Sequence, residues 1–308
     1  MLGFIKNRAS QIRQQLREKA ELSSLGKLSS KEKALIEQLR GQIKTLSSKE
    51  MSATEFWSKK RKELFDQIQN HDPRNFTRWK VMYPMFFEPD PLELERLRSS
   101  PNWKEYEKVL KEDRIGNPTP YKNYPASSGN LIHHLYSLNE FCIKTGKQIS
   151  DRKVIFEFGG GYGSFCRLCY RMGFKGSYVI FDLPEYSIFQ NYFLSSLELP
   201  LNVSLSKVSI ADNTTSLISD INELSKMPSP DLFVALWSLS ETPVELRDKV
   251  LGLLSGGTDH LIAYQNEFQG IDNGSYFEKF KNSKKDVDWS SYPISHIKGS
   301  NYLFGRSA

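Results

Sequence analysis

Between residues 154 and 182 the chain follows a pattern that few folds accommodate. VIFEF (154–158) is a short apolar run of the kind buried inside a sheet, and it gives way at once to GGGYG (159–163). A helical pattern follows over 164–172, then a second apolar strand, YVIFD (178–182), and a second helix in LPEYSIFQNYFLSSL. Glycines at a strand-to-helix junction let the backbone turn tightly and approach a ligand, with helix N–H groups directed at it. The alternation continues with VSLSKVSI (203–210) as a third strand and DLFVALWS (231–238) as a fourth. A helix is expected at about 243–254 and a fifth strand at HLIAYQ (260–265). ISHI and NYLFGR, joined by KGS, read as a closing hairpin. The expected class is α/β: an open, mostly parallel sheet covered by helices on both faces, with an antiparallel edge.

The residues ahead of this region divide in two. Residues 1–70 read as basic helices with polar links: Ile36, Leu39, Ile43 and Leu46 follow a 3-4-3 spacing widened by Leu35, and Ile5, Ile12 and Leu16 give a weaker stripe. Ser29 followed by Glu32 is a capping-box pattern. Such a seam packs on the main domain, on its twin in a homodimer, or on another protein. SSLGKLSS (23–30) interrupts it, which argues against a continuous coiled coil. Residues 71–150 form an expected helical cap rich in Pro and aromatics, among them Trp79, Tyr83, Phe86, Phe87, Pro89, Trp103 and Tyr106. NPTPYKNYPASSGN (117–130) reads as a loop and Leu131–Thr145 as a helix. Residues 151–308 are then the sheet domain.

Charge is unevenly placed. Residues 1–62 carry 15 Lys and Arg against 6 Asp and Glu, whereas the rest carries 27 against 30. The basic balance belongs to the N-terminal segment, so the main domain is not expected to bind nucleic acid. That segment is expected as a solvated helical face, with contact to a protein or the periphery of an anionic inner membrane as the alternative. Three cysteines in 308 residues fit a reducing compartment, and no run approaches the roughly 20 apolar residues of a membrane span. The start lacks the apolar stretch of a secretory signal, and a cytoplasmic protein is expected.

The segment Glu157-Phe158-Gly159-Gly160-Gly161-Tyr162-Gly163-Ser164 carries the chemistry. Asp182 ends the next strand, where a carboxylate can accept both hydroxyls of a ribose. Together they point to an adenosine-containing ligand. The dinucleotide pattern G-x-G-x-x-G/A fits from Gly159 with Ser164 in the last place, and less well from Gly161 with Cys166 there. The better match is E-x-G-x-G-x-G, which resembles the first motif of class I S-adenosylmethionine-dependent methyltransferases. That resemblance implies a Rossmann-like sheet with a closing hairpin. It places Glu157 near the methionine part of the cofactor, Gly159, Gly161 and Gly163 along its backbone, and Asp182 on its ribose. Within that superfamily the chain resembles the bacterial sugar O-methyltransferases, through FEFGGGYGSFCRL, FDLPE, WSLSETP, NLIHH (130–134), YQNEFQGIDN (264–273) and HIKGSNYLFG. The resemblance covers about residues 75–308. It implies S-adenosylmethionine as cofactor and a sugar or glycan precursor as acceptor.

Trp237-Ser238-Leu239-Ser240-Glu241 stands where amino-methylating nucleic-acid enzymes carry an Asn/Asp/Ser-Pro-Pro-aromatic motif, and no Pro-Cys pair is present. An oxygen acceptor is the simplest remaining reading. A sugar hydroxyl is a weak nucleophile and benefits from a general base. The candidates are His133, His134, Glu241 and Asp272, with His296 ranked last. Of the two adjacent histidines, at most one is expected to face a site, since helical neighbours diverge by about 100°. Asp272 and Asn273 could bind acceptor hydroxyls or a divalent cation, or simply form a turn. The sequence shows no ligand cluster with metal spacing. Cys166 and Cys169 fit helix packing rather than redox or zinc chemistry. Tyr162 and Trp237 could present ring faces to a sulfonium or an adenine. Two other readings stay open: a nicotinamide-dependent sugar oxidoreductase, and a non-catalytic scaffold that keeps the cofactor fold.

Overall fold

The computed structural model describes residues 23, 25–46, 53–86, 90–254 and 256–307. The expected stripe at Ile5, Ile12 and Leu16, and Phe87 and Pro89 of the cap, lie outside the described residues.

The fold is mixed α/β around one eight-stranded sheet, mostly parallel and Rossmann-like. Its strands are β1 (Val154–Phe158), β2 (Ser177–Phe181), β3 (Asn202–Leu205), β4 (Thr214–Ile218), β5 (Leu232–Leu236), β6 (Asp259–Gln265), β7 (Val287–Pro293) and β8 (Ser300–Ser307). Their spatial order is β7-β8-β6-β5-β1-β2-β4-β3, and β8 runs antiparallel to both neighbours while the other pairs are parallel. Side chains in a strand alternate between faces. Ile155, Tyr178 and Ile180 therefore enter one hydrophobic cluster, and Phe156, Phe158, Val179 and Phe181 enter the other.

Two expectations about strands need correction. The third strand covers only the start of VSLSKVSI: β3 ends at Leu205, Ser206 takes a positive φ of 67°, and β3 forms the outer edge. The place beside β2 belongs to TTSLI, which is buried throughout. Its hydroxyls are satisfied locally: Thr215 donates to the Tyr170 hydroxyl at 3.1 Å, and the Ser216 hydroxyl accepts from the Ser209 amide at 2.9 Å. In the closing hairpin the first strand is VDWSSYP, and ISHI lies in the turn, where Ile294 is buried. The expected loop at 117–130 also contains a short hairpin, Pro120–Tyr121 with Tyr124–Ser128.

One face of the sheet is covered by helices α1 (Ser30–Lys44), α2 (Glu55–Asn70), α3 (Pro91–Arg98), α4 (Trp103–Val109), α5 (Gly129–Thr145), α6 (Ser164–Arg171) and α7 (Pro184–Ser196). The other is covered by α8 (Ile221–Leu224), α9 (Val244–Leu251) and α10 (Asn273–Ser283). The capping box at the start of α1 is present, with Glu32 N donating to Ser29 Oγ at 3.2 Å and Ser29 N to Glu32 Oε2 at 2.7 Å. The Ile36, Leu39 and Ile43 stripe is buried against α7, which selects the first of the three partners considered for it. α2 is tied to the start of α7 by Arg61, whose Nε and Nη2 donate to the two oxygens of Glu185 at 2.8 and 3.0 Å. Cys166 and Cys169 are buried in α6 as free thiols, in keeping with helix packing. Among the described residues no helix is long and apolar enough to cross a membrane.

Because Leu39 and Ile43 are almost fully buried, Leu39→Ala or Ile43→Ala should each destabilise the protein by about 2–5 kcal/mol. Chemical denaturation checks this, and an unchanged midpoint would mean that α1 is not docked.

Candidate active site

β1 and β2 end side by side at the centre of the sheet, and a cavity opens beyond their carboxyl ends, where open α/β sheets place ligands. The turn from β1 into α6 shapes its floor. Gly159, Gly161 and Gly163 take φ of 72°, 57° and 94°, in the region that L side chains avoid. At Gly159 a Cβ would also collide with the Ser238 side chain at the end of β5. The glycine spacing in the sequence thus reflects three left-handed positions. The Gly159 amide donates to Phe181 O at 2.8 Å, locking the turn to the end of β2.

Glu157 is buried at the end of β1 and accepts a hydrogen bond from the Tyr178 hydroxyl at 2.9 Å. Burial pushes its carboxyl up to about 8, against the opposing effect of that bond. Asp182 follows β2 and accepts from the Leu183 amide and from Gln190 Nε2, both at 2.8 Å. Gln190 Nε2 also donates to Gly161 O at 3.0 Å, so one side chain of α7 joins the acid to the glycine turn. Burial raises Asp182 to about 7 although these donors pull the other way. Glu241, beyond β5, accepts from Trp57 Nε1 at 3.0 Å and from Gln265 Nε2 at 3.2 Å, and burial raises it to about 7.

Of the residues singled out in the sequence, Glu157, Gly159, Gly161, Tyr162, Asp182, Trp237, His134 and Glu241 line this one cavity. Gly163 caps α6 behind the lining. Trp237 holds a positive φ of 64° and donates through Nε1 to Ser300 Oγ at 3.2 Å. The Tyr162 hydroxyl accepts from Asn130 Nδ2 at 3.2 Å. The two histidines diverge as a helix requires. His134 faces the cavity, and burial with His133 beside it holds its imidazole down at about 3. His133 points the other way, with Nδ1 2.6 Å from Glu93 Oε1, and His296 Nε2 lies 2.7 Å from the same oxygen. Asp272 is not brought to the cavity. It caps α10, accepting from the Ser275 amide at 2.9 Å and hydroxyl at 2.6 Å, and these bonds lower its carboxyl.

Sequence reasoning missed the wall supplied by the N-terminal helices. Ala53, Thr54 and Trp57 line the cavity, and Trp57 stands edge-on to Tyr186 at a centroid distance of 5.8 Å. Nothing in the spacing of α2 distinguishes Trp57 from an ordinary packing residue. Asn130, which also lines the cavity, does carry a sequence signal, since it opens the NLIHH segment. Several lining residues carry a buried polar atom with no partner among the described residues: Thr54 Oγ1, Asn130 Oδ1, His134 Nδ1 and Tyr186 Oη. Buried polar atoms are rarely left so, and these four belong to residues of the cavity wall.

No family model matches the sequence, and no curated protein does. Solved structures with a similar arrangement include a chain of the fibrillarin/Nop5p complex, at 9% identity and a TM-score of 0.41, over 62% of this chain and 88% of that one. Another is the glycopeptide N-methyltransferase MtfA complexed with sinefungin, at 13% identity and 0.39, over 56% and 92%. A third is an O-methyltransferase family protein from Burkholderia thailandensis, at 10% identity and 0.37, over 70% and 71%. At these levels of likeness nothing about ligand or reaction follows.

The buried carboxyls set a pH dependence. Each of the three is raised, so the stability it contributes is complete below the unfolded carboxyl value and lost as pH climbs through about 7 to 8. His134 and His260, held down at about 3 and about 4, act in the opposite sense, and their contribution is lost only as pH falls below about 6.5. Of these five groups only the carboxyls still titrate above that point. The melting temperature of the ligand-free protein should therefore fall between pH 6.5 and 8, and Glu157→Gln should flatten the decline. A melting temperature that rises over this range would contradict the assignment.

Proposed function

We propose that the chain is an S-adenosylmethionine-dependent methyltransferase whose acceptor is a sugar hydroxyl. The observation that carries this reading is the charge of the cavity. Glu157, Asp182 and Glu241 line it, and among the described lining residues there is no Lys or Arg. A dinucleotide would bring a pyrophosphate into that acidic surround, whereas a sulfonium brings a positive charge. The cofactor supplies an activated methyl group together with its own leaving group. The fit of the site to it rests on the acids at the ends of β1 and β2, the close backbone approach that Gly159 and Gly161 allow, and the unpartnered polar atoms around them.

The residues divide the work as follows. Asp182 would hold the ribose hydroxyls, with Gln190 fixing its carboxylate against the turn. Glu157 would face the methionine part, and Trp237 and Tyr162 supply aromatic walls that favour a cation. Glu241 is the general base for the acceptor hydroxyl: a carboxylate raised to about 7 is a stronger base than an ordinary one and still ionises near neutrality. Trp57 and Gln265 each hold one of its oxygens, which fixes the direction it presents to a substrate. His134 stays neutral throughout this range and can accept a hydrogen bond at Nδ1. The sugar acceptor rests on the sequence resemblance, carried by FEFGGGYGSFCRL, WSLSETP and YQNEFQGIDN.

Calorimetric titration with S-adenosylmethionine, S-adenosylhomocysteine and NAD(H) tests the cofactor. The first two should bind, and Asp182→Ala should weaken them by more than about tenfold, as expected for a lost charge-assisted hydrogen bond. Binding of NAD(H) alone would overturn the reading. With an acceptor found among sugar nucleotides, Glu241→Gln should lower kcat by about 10²–10⁴-fold. The wild-type rate should rise with pH through about 7 as Glu241 ionises. A rate independent of Glu241 would remove it from the role of base.

A further inference from the structure

Behind the wall of the cavity, three segments remote in sequence converge on one point. Glu93 comes from the first turn of α3, His133 from α5, and His296 from the turn between β7 and β8. His133 Nδ1 and His296 Nε2 lie 2.6 and 2.7 Å from the same oxygen, Glu93 Oε1. The side chains of Glu93 and His133 are each 1% exposed, and that of His296 is 6% exposed. One potential ligand atom from each residue falls within 4.8 Å of the other two.

We propose that Glu93, His133 and His296 form a binding site for a divalent transition-metal ion of the zinc class. Two imidazoles and one carboxylate are a donor set that suits zinc and its neighbours, and is poor for magnesium or calcium, which prefer oxygen throughout. As a purely hydrogen-bonded cluster the arrangement is lopsided. Both rings crowd one carboxylate oxygen, while Glu93 Oε2 has no partner among the described residues. It also leaves a carboxylate in the interior whose side-chain partners among the described residues are two imidazoles, neither of them charged unless protonated. A divalent ion resolves both. The carboxylate binds it directly, and each ring ligates through the nitrogen that now faces Glu93, its proton residing on the other nitrogen. A tetrahedral ion with bonds of about 2.0–2.2 Å holds its ligand atoms roughly 3.3 Å apart, so the rings need draw back from Oε1 only by some tenths of an ångström.

The site joins the cap helix α3 to the far end of the sheet. It also backs the cavity, since the His133 ring lies 5.1 Å from that of Trp237. An ion there would fix the ring against which Trp237 rests. The proposal does not depend on the methyl-transfer reading, because it concerns residues outside the cavity lining.

The test uses the full chain, stripped with a chelator and titrated with Co²⁺, then with Zn²⁺ in competition. One equivalent of Co²⁺ should bind with visible ligand-field bands and without the charge-transfer band of a thiolate. Zn²⁺ should displace it and raise the melting temperature. His296→Gln, a change at the least buried member, should weaken Co²⁺ binding by at least about tenfold, with the circular dichroism spectrum of the metal-free protein retained. The proposal is overturned by no uptake of Co²⁺ or Zn²⁺. A thiolate band, which would place the ion on Cys166 and Cys169, overturns it too, as does unchanged affinity in a folded His296→Gln protein. Should that variant fail to fold, the wild-type spectrum and stoichiometry still decide.

Discussion

A parallel sheet that is apolar on both faces cannot leave either one open to water. Here the helices ahead of the first strand do much of the covering on one side. α9, α10 and the short α8 close the other face from within the strand–helix alternation. On the first face, α1 and α2 extend the layer that α6 and α7 begin, and α3 to α5 continue it toward β8. Ile36, Leu39, Ile43, Leu64 and Ile68 share one cluster with Ile155, Tyr178 and Leu217 of the strands. The N-terminal helices are therefore part of the core, and some of their basic residues, Arg61 on Glu185 among them, serve that packing.

That same covering makes the site. α2 reaches over the carboxyl ends of the strands, and its first turn places Trp57 against Glu241 and Tyr186. The Arg61–Glu185 fork holds α2 at the start of α7, a few residues after Asp182. Burial raises Glu157, Asp182 and Glu241 well above the ordinary carboxyl range. Hydrogen bonds from Tyr178, Gln190, Leu183, Trp57 and Gln265 offset part of that cost and fix where each carboxylate points. Desolvation wins in all three, because no cation lies among the described lining residues to oppose it.

What the sequence disclosed follows from which signals are local. β1, β2, β5 and β6 are continuous apolar runs, and the glycine turn carries its conformational demand in the residues themselves, so both were legible. So was the capping box, which needs only Ser29 and Glu32. TTSLI was missed because its hydroxyls, paired with Tyr170 and Ser209, look polar in sequence yet are buried between two neighbouring strands. ISHI reads as a strand because two β-branched residues bracket it, yet it lies in the turn with Ile294 buried. Trp57 on Glu241 bridges 184 residues, and His296 on Glu93 bridges 203. Contacts at such separation leave no local trace. His133 and His134 are both candidates in the sequence, and only the three-dimensional arrangement shows that His133 is the one that turns away, to Glu93.

The raised carboxyls also tie the cavity's ligand to its protons. An empty cavity with three acids and no cation favours the protonated forms, because each charge is otherwise buried alone. A positively charged ligand reverses that preference, lowering all three toward the ordinary range and releasing the protons they hold. An anionic ligand would do the opposite, adding repulsion to desolvation. The same carboxyl cluster that costs the free protein stability as pH rises thus favours a cation most in the range where those carboxyls begin to ionise. A site of this kind discriminates between a sulfonium and a pyrophosphate before any shape is compared, and it does so through three carboxyls that converge on one cavity.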